Sequence, residues 1–517
     1  MANAAETRGG GVTTESPERT APAKSTLLRE DGYASGLRNR QVQMIAVGGA
    51  IGTGLFLGAG ERLNSAGPSL VIVFAVTGLF AFFIARAMGE LVMHRPTSGS
   101  FVSYSRELLG GEKAAFVAGW VYFLHWICSG IAEITAVAVY LHYWSALREI
   151  PQWTLALFAL LVVLGANLIS VKWFGEFEFW FALIKVAAII AFLAIGCWLL
   201  ASRHPVQGGE AGGPQLITDH GGLLPHGFLA ALIIVQGVVF SYAAIEMVGI
   251  TAGETENPRK VIPKAINSVS WRIVVFYVGS VLLLVLLLPW TAYSGDESPF
   301  VTLMSRVGIP GADQIMNFVV LTAALSSCNS GLYSTGRTLR SMGLAGSAPH
   351  FTTKMNRRHV PFGGILLTAS FYLLGIVLNY VVPERAFSIV LNFSAITMIG
   401  TWAMIILCQL ALRRRVREGR AEDGGFHLPG APFTSYLTLA FLLLVVVLMA
   451  CDGDIGTWSV VCMPLIALAL WAGWYAVRNR VTALAARREG PEPEPSEATG
   501  TSGATGSSEA TGGTAAG

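Results

Sequence analysis

Long apolar segments, separated by short polar ones, follow one another along almost the whole chain, from about residue 42 to residue 477. A helix needs about 20 mostly apolar residues to cross the hydrocarbon core of a bilayer. The pattern therefore predicts an all-α polytopic membrane protein. We expect twelve transmembrane helices, called spans 1 to 12 in chain order, at about 42–63, 67–93, 114–144, 152–171, 175–201, 227–252, 264–290, 312–341, 361–381, 386–411, 434–451 and 457–477.

Span 1 carries far more glycine than a continuous helix favours. Its segment GGAIGTGLFLGAG, residues 48–60, holds six glycines among apolar and small residues. Each glycine inside a helix costs about 1 kcal/mol relative to alanine. A helix is interrupted inside a membrane only where the freed backbone lines a cavity or is buried in protein. A close-packing face of small residues is the alternative, but the number of glycines favours a broken helix.

An interrupted helix can bind a ligand that carries both charges. The N-terminus of the half-helix offers N–H groups and the positive end of a dipole to an anion, while unwound carbonyl groups hold a cation. In span 1 the N–H groups of Gly52, Thr53 and Gly54 would face a carboxylate, and the carbonyl groups of 48–51 would hold an ammonium group. An α-amino acid has both groups.

Span 6 occupies the corresponding place in the second half of the chain, five spans later. Its sequence ALIIVQGVVFSYAAIEMVGI contains Gly237, Ser241 and a mid-span acid, Glu246. Paired interruptions in two halves are typical of transporters that are built from inverted repeats. Spans 1 and 6 are therefore predicted to be broken helices of two inverted five-helix repeats. The transporter domain, 41–480, then divides into repeat one at about 41–202, repeat two at about 226–411 and two extra helices at about 433–478.

Ionisable residues inside the spans are rare, because a charge in the membrane interior is costly. Lys185 lies near the middle of span 5 with no acid one turn away, Glu133 lies in span 3, and Glu246 lies in span 6. Burial disfavours the charged form of each group, so each could bind or release a proton. We interpret Lys185 as coupling transport to a proton gradient, while Glu133 is equally compatible with a buried hydrogen-bonding role. Arg86 and Glu90, four residues apart in span 2, are expected to form a structural pair.

Polar side chains also recur in spans 8 and 10. In a membrane such groups either line a site or cross-link helices by hydrogen bonds, and the sequence favours neither. The residues are Ser326, Ser327 and Asn329 in span 8, and Asn392, Ser394 and Thr397 in span 10.

Composition argues against several other classes of protein. Only 13% of the residues are charged, against about 25% in a soluble domain. The net charge of +3 gives no reason to expect a nucleic-acid partner. The six cysteines lack metal-ligand spacing, and no feature supports a metal ion or an organic cofactor. An intramembrane enzyme would need a motif such as H-E-x-x-H, which this sequence lacks, so we expect no enzyme.

Positive charges predict the orientation of the chain. Most of the 35 lysines and arginines fall in the terminal segments and in alternate loops, most clearly in LRRRVREGR at 412–420. Cytoplasmic segments carry this excess, so both tails, 1–40 and 489–517, are expected to be cytoplasmic in a protein of the cell membrane. Their polar, low-complexity composition also predicts disorder. Nothing in the sequence indicates an oligomeric state.

Five stretches resemble the amino acid transporter family of the amino acid–polyamine–organocation superfamily, and the resemblance covers about residues 36–480. They are RQVQMIAVGGAIGTGLFLGAG, GELVMHRPTSGSFVSYSRELLG, GWVYFLHWICSGIAEITAVAVYLHYW, VKWFGEFEFWFALIKV and TAGETENPRKVIPKAINSV. Within that family, HRPTSGSFVSY and LPGAPFTSYLTL are among the segments most similar to bacterial L-asparagine permeases. The resemblance implies proton-driven import of a neutral amino acid, in the first place L-asparagine, by alternating access on a LeuT-like fold.

The resemblance also implies roles for individual residues. The helix-5 lysine that is tied to proton coupling falls on Lys185, the helix-3 acid falls on Glu133, and Glu246 serves both coupling and substrate binding. Many members read Phe-Ser-Phe-x-Gly-Thr-Glu where this chain has FSYAAIE, so Ala244 and Ile245 depart from the pattern and leave the substrate side chain open. The implied substrate-binding residues are Gly49, Ile51, Gly52, Thr53 and Gly54 in span 1 and Phe240, Ser241, Tyr242 and Glu246 in span 6, to which the polar residues of span 8 add Ser327.

Other transport functions stay open at this point. The protein could be a permease for another neutral amino acid, such as glutamine, serine or alanine. It could also be an amino acid exchanger without proton coupling, in which Lys185 would be structural. A nutrient sensor would be expected to carry a folded signalling tail, and a channel would need a continuous pore.

Overall fold

The computed structural model describes residues 44, 51–97, 100–169, 171–206, 211–247, 249, 258–295 and 297–489. These residues form helices, with no β-strand among them. Ten of the helices in this part of the chain are long and apolar enough to cross a membrane, and a shorter apolar helical segment runs over Gly227–Phe240. This is the architecture of a multi-pass membrane protein, since a helix satisfies its own backbone hydrogen bonds in lipid.

The helix bounds are as follows. The α-helices are α1 (Thr53–Phe56), α2 (Gly58–Ala66), α3 (Leu70–His94), α4 (Ser100–Ser105), α5 (Glu112–His142), α6 (Gln152–Ile169), α7 (Val171–Ser202), α8 (Gln215–Thr218), α9 (Gly227–Ile233), α10 (Val235–Phe240), α11 (Pro258–Arg272), α12 (Gly279–Leu287), α13 (Pro299–Arg306), α14 (Ala312–Leu344), α15 (Phe362–Val381), α16 (Pro383–Arg417), α17 (Phe433–Ala450), α18 (Asp454–Val461) and α19 (Met463–Glu489). Two π-helical segments, Arg106–Gly110 and Ile273–Val278, and four 3₁₀ turns, Gly67–Ser69, Ser145–Leu147, Trp290–Ala292 and His350–Thr353, complete the helical elements.

The helices overlap the predicted spans, but four of these spans are not single α-helices in the described residues. In span 1 from residue 51 onward, the helix begins at Thr53, after the extended Gly52. Span 6 divides into α9, α10 and a series of turns. Span 7 divides into α11, the π-helical segment Ile273–Val278 and α12. Span 12 divides between α18 and α19, next to Pro464, which has no N–H to continue the helical ladder. The predicted tail 1–40, residues 45–50 of span 1, and residues 490–517 of the second tail lie outside the described residues.

Three helices form the centre of the bundle. In the apolar, membrane-spanning stretch of α14, 83% of the residues are buried. The corresponding share is 67% in α5 and 67% in α16. In the apolar stretch of the last helix, in contrast, no residue is buried, although some, such as Ile466 and Trp474, are half-buried. Side chains on α5, α14 and α16 therefore have other helices around them on most sides, and α1 and α10 pack against this centre.

The expected pairing of Arg86 with Glu90 needs correction. The Nε of Arg413, on α16, donates to Glu90 Oε1 at 2.7 Å. Arg86 instead donates to Asn267 Oδ1 at 2.8 Å and lies over the ring of Phe426. Proximity along one helix allows a pair, but the arginine of α16 also donates from Nη2 to the second carboxyl oxygen and so makes the stronger, bidentate interaction.

Candidate functional site

The first interruption lies at Gly52. Its backbone is extended, with φ −135° and ψ −164°, and the helix begins at the next residue, Thr53, without a side-chain cap. The first N–H groups of a helix have no acceptor within the helix, so those at the start of α1 are available to other partners. Ile51 and Thr53 are fully buried, which places this helix start inside the protein. Gly49 lies outside the described residues.

The second interruption follows Phe240, where α10 ends. Residues 241–246 form consecutive turns, and Ala244 has a φ of +67°. This left-handed conformation costs roughly 1–2 kcal/mol for a residue that has a side chain. Ala244 is the position at which many members of the resembling family have glycine, so the chain keeps a glycine-type turn here with an alanine.

The two interruptions are in backbone contact. A Cβ atom added to Gly54 would lie 2.6 Å from Ser241 Cα, 2.8 Å from Ser241 N and 3.0 Å from the ring of Phe240. Carbon atoms in ordinary contact are about 3.5–4.0 Å apart. Only glycine therefore allows α1 to approach the end of α10 this closely, and this approach brings the two predicted half-sites together.

Several polar atoms around this contact have no hydrogen-bond partner among the described residues. They include Thr53 Oγ1, Ser241 Oγ and both carboxyl oxygens of Glu246. Glu246 is fully buried and lies near Tyr122 and the indole of Trp402. Buried polar groups are nearly always satisfied in native proteins, and leaving one unpaired costs about 1–3 kcal/mol. A small polar ligand between these groups would supply the donors and acceptors that they lack.

Tyr242 differs from the other predicted residues of span 6. Its hydroxyl donates to the carbonyl of Phe74 on α3 at 2.7 Å. Its ring stacks on Tyr277 with the centroids 4.7 Å apart. The side chain therefore packs between helices of the scaffold, whereas Phe240 and Ser241 contact the start of α1.

Glu133 and Ser327 approach the site from the central helices. A Cβ atom at Gly52 would lie 3.0 Å from Ser327 Oγ and 3.5 Å from Glu133 Oε1. The second carboxyl oxygen of Glu133 has no partner among the described residues. The structure thus brings Gly52, Thr53, Gly54, Phe240, Ser241, Glu133 and Ser327 into one neighbourhood.

Lys185 lies in a buried polar network together with an acid that sequence reasoning missed. Its Nζ donates to Ser326 Oγ at 3.1 Å. The same hydroxyl donates to Glu178 Oε2 at 2.6 Å, and Asn329 Nδ2 donates to Glu178 Oε1 at 2.7 Å. Asn167 Nδ2 donates in turn to Asn329 Oδ1 at 2.6 Å. Lys185 is therefore linked through one hydroxyl group to Glu178 and lies electrostatically close to both Glu178 and Glu133.

A signal for Glu178 was present in the sequence. Glu178 precedes Lys185 by seven residues, which is two helical turns, so both lie on the same face of α7. The i, i+4 spacing that predicts a partner one turn away does not include this position. Within this network, Ser326 and Asn329 of span 8 cross-link helices. Ser394 of span 10 also cross-links helices, because its Oγ lies 2.6 Å from Ser129 Oγ.

The described residues contain no group of three His, Cys, Asp or Glu side chains that could hold a metal ion. The side chains described above around α1, α10 and Lys185 supply hydroxyl groups, carboxylates and an ammonium group, and the start of α1 supplies backbone N–H groups. These are groups that bind a polar organic molecule and protons.

Comparison with known proteins adds two findings. The family model described as "Amino acid permease" matches residues 41–485. Three bacterial proteins named L-asparagine permease are each 59% identical to this chain. The protein of Salmonella typhimurium aligns over 470 residues, covering 91% of this chain and 94% of the relative. That of Escherichia coli aligns over 469 residues with the same coverage, and that of Streptomyces coelicolor over 462 residues, covering 89% and 94%.

Proposed function

Because this chain belongs to the amino acid permease family, we propose that it imports L-asparagine by proton symport with alternating access. The relatives named L-asparagine permease support this substrate. The observation that carries the proposal is the contact of two interrupted helices at Gly54 and Ser241, with unpartnered buried polar atoms on both. Interrupted helices that meet in the middle of a membrane protein are the usual substrate site of secondary transporters.

The substrate's two charges fit the two kinds of group at the site. The α-carboxylate would accept hydrogen bonds from the N–H groups at the start of α1 and from Thr53 Oγ1, where the helix dipole favours an anion. The ammonium group would lie toward the carbonyl groups of the interrupted backbone. Ser241 and Glu246 would contribute from the second interruption, and Ser327 from α14.

Proton coupling would use the charged cluster behind this site. One lysine, Lys185, lies close to two carboxyl groups, Glu178 and Glu133. If all three were ionised, the cluster would carry one excess negative charge, and an uncompensated buried charge is strongly unfavourable. Binding of one proton makes the cluster neutral. Glu133 also lies against Gly52, so proton binding and substrate binding would act on the same piece of backbone.

The remaining parts of the proposal concern topology. The chain would cross the cell membrane twelve times, with a LeuT-like pair of inverted repeats at about 41–202 and 226–411, two extra helices at about 433–478, and both tails in the cytoplasm. The arginines of 412–420 support this orientation, because cytoplasmic loops are enriched in positive charge.

The first test is uptake of labelled L-asparagine into proteoliposomes. With the outside acidic relative to the lumen, the purified protein should accumulate asparagine, and a protonophore should abolish accumulation. If uptake survives the protonophore but needs amino acid inside, the protein is an exchanger. If glutamine, serine or alanine competes better than asparagine, the predicted binding site stands, but the assignment of asparagine as the substrate is wrong.

Two variants test the coupling cluster. Lys185→Ala should abolish accumulation driven by a pH difference while leaving exchange of internal for external asparagine measurable. Glu178→Gln, which keeps the shape and loses the charge, should weaken accumulation in the same way. A Lys185→Ala protein that still concentrates asparagine under a pH difference contradicts the coupling role. An exposed acid at the start of α16, Glu384→Gln, is the matched control.

A further inference from the structure

A groove lies between the last helix, α19, and the rest of the bundle. Its volume is about 750 Å³. One wall consists of aromatic residues from three helices, namely Phe116, Trp120 and Phe123 of α5, Phe371 of α15 and Phe393 of α16. The other wall is the face of α19 from Leu465 to Arg480, which extends over roughly 23 Å at about 1.5 Å per residue. The groove therefore follows α19 through most of the roughly 30 Å of a hydrocarbon core.

Small residues bring α19 close to the bundle without filling the groove. A Cβ atom added to Gly473 would lie 3.1 Å from Phe116 Cζ, so α19 touches α5 at this point. A Cβ atom added to Gly346, in the loop after α14, would lie 2.8 Å from Leu484 Cδ1. One turn before Gly473, α19 presents only Ala469 to the groove, and a methyl group is too short to reach the opposite aromatic rings. The helix is thus held near α5 but leaves a cavity beside the contact.

The lining of the groove favours an apolar occupant. Among the described residues that line it, Arg480 is the one charged side chain, and the others are apolar or small. Leu465 is 64% exposed, so the groove is open toward the surroundings of the protein instead of being sealed inside it. Apolar cavities do not hold water, and an unfilled one would lose the van der Waals contacts of its walls. A hydrocarbon chain from the surrounding lipid would supply those contacts.

Positive charge at one end of the groove favours an anionic headgroup. Arg480 is exposed and forms no ion pair with another described residue. The chain has arginines at 478, 480, 487 and 488, beyond the apolar part of α19, and no acid between Asp454 and Glu489. Such a cluster directly beyond a membrane helix attracts anionic lipids, and the planar guanidinium group of arginine matches the geometry of a phosphate.

We propose that the groove binds one anionic phospholipid, with an acyl chain along the aromatic wall and the headgroup phosphate on Arg480. Since α17 runs back across the bundle between α16 and α19, Arg480 lies at the same end of the bundle as 412–420, and the lipid belongs to the leaflet at that end. A zwitterionic lipid would fill the groove as well with its acyl chain, but its cationic group would lie near Arg480. Preference for the anionic headgroup therefore distinguishes this site from ordinary contact with lipid. Lipid binding here does not depend on the solute that the protein transports.

The direct test is native mass spectrometry of the purified full-length protein in detergent, titrated with dioleoyl phosphatidylglycerol or with dioleoyl phosphatidylcholine. The wild type should retain one phosphatidylglycerol with an apparent affinity at least about fivefold above that for phosphatidylcholine, and Arg480→Gln should lower this ratio about fivefold. Arg417→Gln removes the same charge from an exposed position at the end of α16, outside the groove, and should leave the ratio unchanged. Equal affinities for the two lipids in the wild type, or equal losses in both variants, overturn the proposal.

A second variant tests the apolar part of the site. Ala469→Phe places a ring in the groove from an exposed position of α19. This variant should lose the retained phosphatidylglycerol and the rise in melting temperature that the lipid gives the wild type. Ala467→Phe makes the same change at an exposed position outside the groove and should keep both. Retention of the lipid by Ala469→Phe at wild-type affinity refutes the site, and so does a wild-type dimer that retains no phosphatidylglycerol and that Ala469→Phe dissociates, because a second copy would then cover the groove.

Discussion

Gly54 gives the sharpest quantitative test of the site, because α1 and the end of α10 are in backbone contact there. In Gly54→Ala the new Cβ would lie 2.6 Å from Ser241 Cα and 2.8 Å from Ser241 N. Ordinary contact needs about 3.5–4.0 Å, so the two backbones must separate by about 1 Å. Neither atom belongs to a side chain that could rotate away.

This separation has two expected consequences. Overpacking of this kind costs about 1–3 kcal/mol of folding free energy. Displacing groups at a functional site by about 1 Å can reduce its efficiency about 100-fold. We therefore expect Gly54→Ala to melt at a lower temperature and to lower Vmax/KM for amino acid uptake by about 10- to 100-fold.

Two matched glycine-to-alanine changes make the test specific. At Gly165, on α6, an added Cβ meets no atom within 4 Å, so Gly165→Ala should be neutral or slightly stabilising because alanine is the better helix former. At Gly52 the nearest atom is Ser327 Oγ at 3.0 Å, a hydroxyl that can rotate, so Gly52→Ala should have an intermediate effect. Thermal melts of purified protein and initial uptake rates in proteoliposomes give both quantities. If Gly54→Ala behaves like Gly165→Ala in both assays, the inferred contact of the two interruptions is wrong.

Three further predictions concern stability. Glu90→Gln removes the charged partner of Arg413, which is half-buried, and should lower the free energy of unfolding by about 1–3 kcal/mol, whereas the exposed control Glu418→Gln should change it by less than about 1 kcal/mol; equal values in chemical denaturation would contradict a stabilising role for the Glu90–Arg413 pair. Ala244→Gly should raise the melting temperature, because it relieves a left-handed alanine that costs about 1–2 kcal/mol; a lower melting temperature would argue against that conformation. Burial raises the pKa of Asp452 in the folded protein above its ordinary 3.8. The protonated carboxyl group therefore contributes its full stabilisation below pH 3.8, and this stabilisation is lost as the pH rises through the raised pKa. Melting curves against pH should show this loss in the wild type and not in Asp452→Asn.

The sequence alone predicted the features that depend on local composition. Apolar runs marked the membrane helices, since a bilayer imposes one length on every crossing. Glycines marked the interruption at Gly52, and the family pattern marked the unusual Ala244. These features can be read locally because each depends on the residues of one segment and on the surrounding solvent or lipid.

Pairing between helices could not be read in this way. Glu90 takes its partner from Arg413, 323 residues away, although Arg86 is one turn away on the same helix. Lys185 meets Glu178 through Ser326, 141 residues further along the chain.

Only the tertiary structure brings Gly54 against Ser241 and positions Arg62 across Gly237 above them. The physical reason is that apolar helices are equally soluble in lipid on all faces, so the choice of neighbours depends on close packing and on the few polar groups that must find partners. Sequence predicted the apolar helices and the interruption at Gly52, and packing decided which interruptions and charges meet.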